Sequence, residues 1–330
     1  EQGRPAHAYL IAGPAGVGKT RLAFDLARAV NCTGAEPPCG ACRACHLIEE
    51  GRHPDVETVT VGGLCDEADH DHRRDGSKEI KICQVRRVQR VLSLQPYEGL
   101  RRVVIVEPAD AMNVYGADAF LKTLEEPPDR VLLILVTAND AVLSETIISR
   151  CRRIILGPVP LATVRAELER RGVDLERAEL LARLSGGRMG EALVASENET
   201  VLSEREQRLR RLEALAKAGR AERMAFAAEL AGRFARERQD VYAYLDLWQK
   251  WWRDVLLVQE NCPDLVENYD RLPQLSSVAA AVAPVEVVRS LHALHECRRH
   301  LEENANARLA LEVLVLHFPR PVISEEVGTR

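Results

Sequence analysis

The sequence predicts an α/β domain followed by an all-α region. Two observations lead to this prediction. Short apolar runs alternate with helical patterns in the first half of the chain, and the periodicity beyond residue 201 is almost wholly helical. Strands that alternate with helices are typical of a parallel sheet, which binds ligands at the carboxyl ends of its strands. At 330 residues the chain is also too long for a single compact core.

The first apolar run, His7–Ala12, predicts a buried strand. It leads into Gly13–Thr20, which fits the phosphate-binding pattern G-x-x-x-x-G-K-[ST], and a helical pattern follows over Arg21–Val30. This strand–loop–helix order favours a phosphate site over a chance glycine-rich turn. Glycines let backbone N–H groups face a phosphate chain, the lysine adds a positive charge, and the threonine can ligate Mg²⁺. The expected site for ATP or ADP with Mg²⁺ contains Gly13, Gly16, Gly18, Lys19 and Thr20.

Four closely spaced cysteines follow this helix, at Cys32, Cys39, Cys42 and Cys45. Four thiolates can close a tetrahedral structural zinc site, and zinc is the interpretation we favour. An iron–sulfur cluster and unliganded reduced cysteines are the alternatives.

The other five cysteines are scattered along the sequence and are expected to behave as small apolar residues. They are Cys65, Cys83, Cys151, Cys262 and Cys297. The acidic stretch Asp66–Asp71, with His70 and His72, could suggest a second metal site. Its polar composition favours a solvated loop insertion instead.

Four further apolar runs predict the remaining strands, at Val56–Val61, Val103–Val106, Val131–Thr137 and Ile154–Leu156. Ile82–Leu94 and Val114–Leu124 show the pattern of amphipathic helices, and prolines end both. The Gly-Pro-Val-Pro run at 157–160 predicts the end of the first domain.

Charged and aromatic residues mark the helical region. Leu202–Arg238 carries arginine and glutamate at helical spacing, and the mixed signs favour a solvated helix face over a DNA-binding stripe. Val241–Val258 holds all three tryptophans. With Tyr244, Leu245 and Val255 they form a stripe that predicts core or subunit packing rather than base stacking.

Composition excludes some classes of function. The net charge of −5 and the pI near 6.1 give no whole-chain basic field that would demand nucleic acid. No apolar run approaches the ~20 residues of a membrane span, and no signal peptide opens the sequence. Nine cysteines in a chain of this size favour a reduced, cytoplasmic protein. Because the first residue is Glu1, directly before the first strand, we expect an N-terminal element to be missing.

The parts needed for ATP hydrolysis are less complete than those for binding. A hydrolysing enzyme needs a carboxylate at a strand end to hold Mg²⁺ and an acidic residue beside it to polarise water. Glu107 can supply the first function, but Pro108 has no base to offer. Asp110 lies three residues beyond Glu107 and would need an unusual turn to substitute.

Several of these segments resemble the bacterial clamp-loader subunits of DNA polymerase III, which are AAA+ proteins. The matching motifs are ADAFLKTLEEPP at Ala117–Pro128, TIISRC at Thr146–Cys151 and the cysteine arrangement from Cys32 to Cys45. The resemblance is strong over residues 5–195 and only architectural beyond them.

Two departures within this family favour its delta-prime branch over the gamma/tau motor. The motor has Asp-Glu where this chain has Glu107-Pro108, and it has a phosphate-sensing arginine where this chain has Gly190. The segments at His53–Asp55 and Glu79–Ile82 also look like delta-prime. The intact phosphate loop is unlike many delta-prime subunits, so ATP binding stays open.

The resemblance implies three domains and a set of partners. It implies a RecA-like AAA+ domain over 1–158 with a zinc module at 32–45, a helical lid over 159–200 and a helical collar over 201–330. Glu107 and Thr137 would join the nucleotide site, and Arg150 would act as an arginine finger on a neighbouring subunit. The implied partners are the gamma/tau and delta subunits, the sliding clamp and primer–template DNA.

Three functions therefore compete on the sequence alone. The first is a scaffold with little or no ATP hydrolysis of its own, and the second is a gamma/tau-type ATPase motor. A P-loop kinase with a zinc lid is a weaker third, because no acceptor site is recognisable and the helical C-terminal third would stay unexplained.

Overall fold

The computed structural model describes residues 6–67, 72 and 77–319. The chain forms two compact units. The first contains residues 1–159 together with 188–190, and the second contains 160–187 together with 191–330.

The first unit is built on a five-stranded sheet in which every pair of neighbours is parallel. The strands are β1 (Ala8–Ala12), β2 (Val56–Val59), β3 (Arg102–Val106), β4 (Val131–Thr137) and β5 (Arg152–Ile155). Their order across the sheet is β2-β3-β4-β1-β5. Because β4 is buried along its whole length, it is a continuous run of apolar residues ending in threonine.

Helices cover both faces of this sheet. They are α1 (Lys19–Asn31), α2 (Arg43–Glu49), α3 (Ile82–Leu92), α4 (Val114–Glu125) and α5 (Glu145–Arg150), with short 3₁₀ turns at Ala109–Ala111 and Asp140–Val142. Alternate residues of the central strands join two apolar clusters, one packed with α3 and α4 and the other with α1 and α2. The sheet thus has an apolar core on each face, and polar residues lie at the ends of its strands.

The second unit is entirely helical within the residues that the structure describes. Its helices are α6 (Leu161–Arg170), α7 (Leu175–Ser185), α8 (Met189–Glu197), α9 (Glu199–Lys217), α10 (Arg220–Phe234), α11 (Arg238–Gln259), α12 (Leu272–Ala281), α13 (Pro284–Glu302) and α14 (Ala307–His317). The first two residues of α8 group with the first unit. The predicted fold class, an α/β domain with a RecA-like parallel sheet followed by helices, is confirmed.

The tryptophan stripe lies on α11 and is buried, as predicted. Trp248, Trp251 and Trp252 are all at most 3% exposed. Trp248 meets Phe318 edge-on with ring centroids 5.2 Å apart. These rings fill a core and present no face on which a base could stack.

The arginines of α9 are engaged by carboxylates of the same unit. Arg205 pairs with Asp270 at 2.8 Å, and Arg208 pairs with Asp240 at 2.9 Å. Such partly buried pairs support the interpretation of an ion-paired helix face. Among the described residues, no single helix is long and apolar enough to cross a membrane. One bent pair, Tyr269–Ala281 with Pro284–Glu302, meets the length and composition criteria only when taken together.

Candidate nucleotide site and metal centre

The phosphate loop connects β1 to α1 and takes a backbone conformation that favours glycine. Gly16 and Gly18 have φ angles of 77° and 97°, and Gly18 caps the N-terminus of α1. Gly13 is confined by space, because a Cβ there would lie 2.0 Å from the Leu156 carbonyl oxygen. The loop therefore places the N-terminus of a 13-residue helix, with its positive end, where the sequence predicts phosphate.

Lys19 and Thr20 begin α1 and are held by neighbouring groups. Lys19 is 8% exposed, and its Nζ donates to the Pro14 carbonyl oxygen at 2.7 Å. Burial lowers the pKa of its ammonium group, an effect that the carboxylates of Glu107 and Asp110 oppose. Thr20 Oγ1 donates to Glu107 Oε1 at 2.5 Å. The hydroxyl and the carboxylate that would hold Mg²⁺ are thus already together.

Asp110 also reaches this edge of the sheet. A 3₁₀ turn after Pro108 brings it back, and Thr137 Oγ1 at the end of β4 donates to Asp110 Oδ1 at 2.5 Å. The sequence indicated that Asp110 would need an unusual turn to substitute, and the structure has a short 3₁₀ turn there. It is the one carboxylate of the site that sequence spacing alone could not place.

These residues fit a nucleotide with Mg²⁺. The loop offers backbone N–H groups and a helix N-terminus to phosphates, and Lys19 supplies a cation. A Cβ added at Gly18 would meet no atom within 4 Å, so the loop is open at that point. Bound Mg²⁺ would neutralise phosphate charge, and Thr20 with Glu107 would hold it.

Gly190, which stands where the motor has an arginine, lies against the phosphate loop. Its N–H donates to the Gly16 carbonyl oxygen at 2.8 Å, and both residues belong to the first unit. A Cβ at position 190 would lie 2.9 Å from that oxygen. No side chain, and so no arginine, fits here without a backbone shift.

Arg150 ends α5 on the surface of the first unit, and its side chain is 33% exposed. Its guanidinium donates to Glu125 Oε1 at 2.5 Å, to the Thr146 carbonyl oxygen at 2.9 Å and to Ser149 Oγ at 3.4 Å. Ser149 therefore helps to orient the arginine, as the sequence indicated. Burial raises the pKa of the neighbouring Cys151 thiol to about 12, which argues against a nucleophilic role.

The four predicted metal ligands converge around the start of α2. The sulfur atoms of Cys32, Cys39, Cys42 and Cys45 all lie within 4.8 Å of one another, and none of these cysteines forms a disulfide. Zinc–sulfur bonds of about 2.3 Å in a tetrahedron would place the sulfurs about 3.8 Å apart. The Cys42 and Cys32 sulfurs are 3.9 Å apart.

Backbone N–H groups already point at these sulfurs. Gly34 and Cys39 both donate to Cys32 Sγ at 3.3 Å. Hydrogen bonds from the backbone of Thr33 and Cys45 lower the pKa of the Cys42 thiol to about 5, whereas burial raises that of Cys45 to about 12. Such hydrogen bonds orient and stabilise thiolates, so the residues fit a closed structural zinc site that would also deprotonate Cys45.

A second group of ligand-type side chains was missed by the sequence reasoning. Atoms of Cys65, His72 and Cys83 lie within 4.8 Å of one another. The two cysteines are therefore not scattered in space, and His72 is 4% exposed rather than solvated. Their irregular spacing of seven and eleven residues matches no metal motif, so nothing in the sequence joined them. His70 lies outside the described residues.

The His53–Asp55 segment has a structural role in the first unit. Asp55 is buried and accepts hydrogen bonds from the N–H groups of Tyr97, Glu98 and Gly99 at 2.7–2.9 Å. Burial opposes its ionisation, but these donors outweigh it and lower its pKa. The carboxylate fixes the turn before β3 and makes no contact with the phosphate loop.

Comparisons with known proteins agree on one protein family. The profile of the family described as DNA polymerase III, delta subunit, matches residues 1–160, and that of its C-terminal part matches residues 202–319. The DNA polymerase III subunit delta' of Bacillus subtilis is 30% identical, covering 96% of this chain and 92% of its own.

Two further relatives match shorter segments. The delta' subunit of Pseudomonas aeruginosa is 38% identical over 55% of this chain and 53% of its own. The tau subunit of Escherichia coli is 32% identical over 58% of this chain and 29% of its own. A delta' subunit thus matches over nearly the full length of both chains, and this chain belongs to the family of DNA polymerase III delta-prime subunits.

Proposed function

We propose that this chain is a clamp-loader subunit that activates the ATPase of a neighbouring subunit and hydrolyses little or no ATP itself. Its work would be to help load the sliding clamp on primed DNA during replication. The observation that carries the proposal is Arg150, a partly exposed guanidinium at the end of a helix, held by one half-exposed carboxylate.

The residues at the chain's own expected nucleotide site support the same proposal. The residues expected to bind phosphate and Mg²⁺ are all present, but Pro108 follows Glu107, and Gly190 stands where the gamma/tau motor has an arginine. A nucleotide held there would stabilise the first unit by binding only to its folded form. Binding and hydrolysis would thus be separated in this chain.

The proposed partners are gamma/tau and delta subunits, the sliding clamp and primer–template DNA reached through the assembly. Residues 201–330 would form the collar through which the subunits assemble, and residues 159–200 would form the lid. The zinc at Cys32, Cys39, Cys42 and Cys45 would stabilise the module locally. A member of this family would act in the cytoplasm, where DNA is replicated.

The chemistry of arginine suits the role given to Arg150. A guanidinium is always charged and presents several donors in a planar fork that matches phosphate oxygens. Placed on a neighbour's γ-phosphate, it would neutralise charge that develops during transfer, which is worth on the order of 10³-fold or more in rate. Its present surface ion pair is worth about 1 kcal/mol or less.

The test is the DNA- and clamp-stimulated ATPase of the reconstituted loader carrying Arg150→Ala. We expect turnover to fall by on the order of 10³-fold, while gel filtration shows an intact complex. Arg152→Ala is the matched control, because Arg152 is an exposed arginine two residues away on β5. That variant should keep its turnover. Unchanged turnover with Arg150→Ala would overturn the proposal.

An ATPase motor of the gamma/tau type is the second candidate, and Asp110 is the observation that favours it. Its contact with Thr137 supports a role for it as a second carboxylate near the expected nucleotide, where it would polarise water. The isolated chain with Mg–ATP tests this function directly. Turnover that Asp110→Asn abolishes would favour the motor, whereas absence of turnover would favour the scaffold.

A further inference from the structure

Cys65 and His72 lie between β2 and α3 in the sequence and Cys83 lies in the first turn of α3, all of them away from the four-cysteine cluster. His72 Nε2 is 3.1 Å from Cys83 Sγ, and the ligand atoms of all three residues lie within 4.8 Å of one another. His72 and Cys83 are 4% and 5% exposed, while Cys65 is partly exposed. An imidazole and two thiols are thus gathered at one largely buried point.

The surrounding structure holds this group in place. Cys83 belongs to the first turn of α3, where Gln84 Nε2 donates to the Thr60 carbonyl oxygen at 2.9 Å. Asp66, the residue after Cys65, pairs with Arg87 at 3.2 Å and with Arg90 at 2.6 Å. Side chains of α3 therefore hold the segment that carries Cys65 at both Thr60 and Asp66. These contacts bring Cys65 close to Cys83 without any bond between the two cysteines.

The chemical types in the group select a class of ligand. Two thiolates and an imidazole are the donors that Zn²⁺ prefers, and they would neutralise its charge. Bonds of about 2.3 Å to sulfur and about 2.0 Å to nitrogen require donor atoms about 3.5–3.8 Å apart. The observed separations allow this with small side-chain adjustments. Apolar packing would explain Cys83 alone, but it does not explain a buried histidine beside it.

We propose that Cys65, His72 and Cys83 form a second zinc site, with one of the four tetrahedral positions left to another donor. The ion would tie Cys65 and His72 to the first turn of α3, as a zinc ion in the four-cysteine site would tie Cys32 and Cys39 to the start of α2. The proposal does not depend on the function proposed above.

Zinc content tests it, measured by mass spectrometry on full-length protein purified with a phosphine reductant. We expect two zinc ions per wild-type chain, one for each ligand group. Cys65→Ser should lose one ion, and so should the double variant Cys39→Ser/Cys42→Ser. Cys262→Ser is the matched control, since Cys262 is a partly exposed cysteine of the other unit, and it should keep both ions.

Co²⁺ titration keeps the proposal testable if a variant folds poorly. Metal-free wild-type protein should develop thiolate-to-cobalt absorption until two equivalents are bound, and His72→Ala should saturate at one. Saturation of the wild type at one equivalent, with zinc unchanged in Cys65→Ser, would overturn the proposal.

Discussion

The phosphate loop and Arg150 lie on the same α/β unit, but they are held in opposite ways. Around the loop, functional groups hold one another: Thr20 contacts Glu107, Thr137 contacts Asp110, and the Gly190 N–H caps the Gly16 carbonyl. Arg150 is held at the surface by its own helix and by Glu125. Under the proposed function this difference is expected, because internal contacts would pre-organise a site for the chain's own nucleotide, whereas an arginine that acts on a neighbour would need a partner that it can release.

Lys19→Ala should produce the largest effect that is confined to the chain's own site. Losing a charge-assisted contact to phosphate costs about 1.5–3 kcal/mol, so the isolated chain should bind Mg–nucleotide about 10- to 100-fold more weakly. Calorimetric titration measures this. The loader's ATPase should stay within about twofold, because under the proposed function this site does not drive turnover.

Arg150→Ala should give the reverse pattern, with nucleotide affinity of the isolated chain unchanged and loader turnover lost.

Lys78→Ala is a suitable control for Lys19→Ala, since Lys78 is exposed and lies outside the phosphate loop. If Lys19→Ala removed most of the loader's ATPase activity, the result would contradict the scaffold function and favour the motor function.

Gly190→Ala should have a smaller effect, on the stability of the loop. An alanine in a helix is normally worth up to about 1 kcal/mol over glycine. Here its Cβ would press on the Gly16 carbonyl at 2.9 Å, and such overpacking costs about 1–3 kcal/mol. We therefore expect a lower free energy of unfolding in urea and a nucleotide affinity weakened by less than about tenfold.

Gly232→Ala in α10 isolates the cause, because a Cβ there meets no atom within 4 Å. It should leave stability unchanged or raise it. A stabilising Gly190→Ala would show that the contact with the phosphate loop imposes no constraint.

The sequence predicted the sheet and the phosphate loop because their signals are local. β4 is a continuous apolar run and starts and ends where predicted, and the loop has a fixed spacing of glycines, lysine and threonine. β2 proved shorter than the predicted Val56–Val61, and α3 ends two residues before Leu94. Such boundaries depend on capping contacts that the apolar pattern does not encode.

Contacts between distant residues could not be predicted in the same way. Asp110 reaches Thr137, 27 positions away, only because a 3₁₀ turn follows Pro108. His72 meets Cys83, 11 positions away, and Gly190 meets Gly16 across 174 positions. No period or motif relates these residues, so only the folded backbone brings them together.

Glu125→Gln is the smallest and sharpest test of the way Arg150 is held. The substitution keeps size and hydrogen-bonding capacity but removes the charge that holds the guanidinium on α4. A half-exposed ion pair is worth about 0–1 kcal/mol, so loader turnover should change by less than about fivefold. Turnover should rise if Glu125 competes with the neighbour's phosphate for Arg150. The double variant Glu125→Gln/Arg150→Ala should match Arg150→Ala alone, because Glu125 would act only through the arginine. A loss with Glu125→Gln as large as that with Arg150→Ala would instead mean that the ion pair persists while the arginine works. Arg150 would then be as firmly pre-organised as the phosphate loop, and the contrast between the two regions would fail.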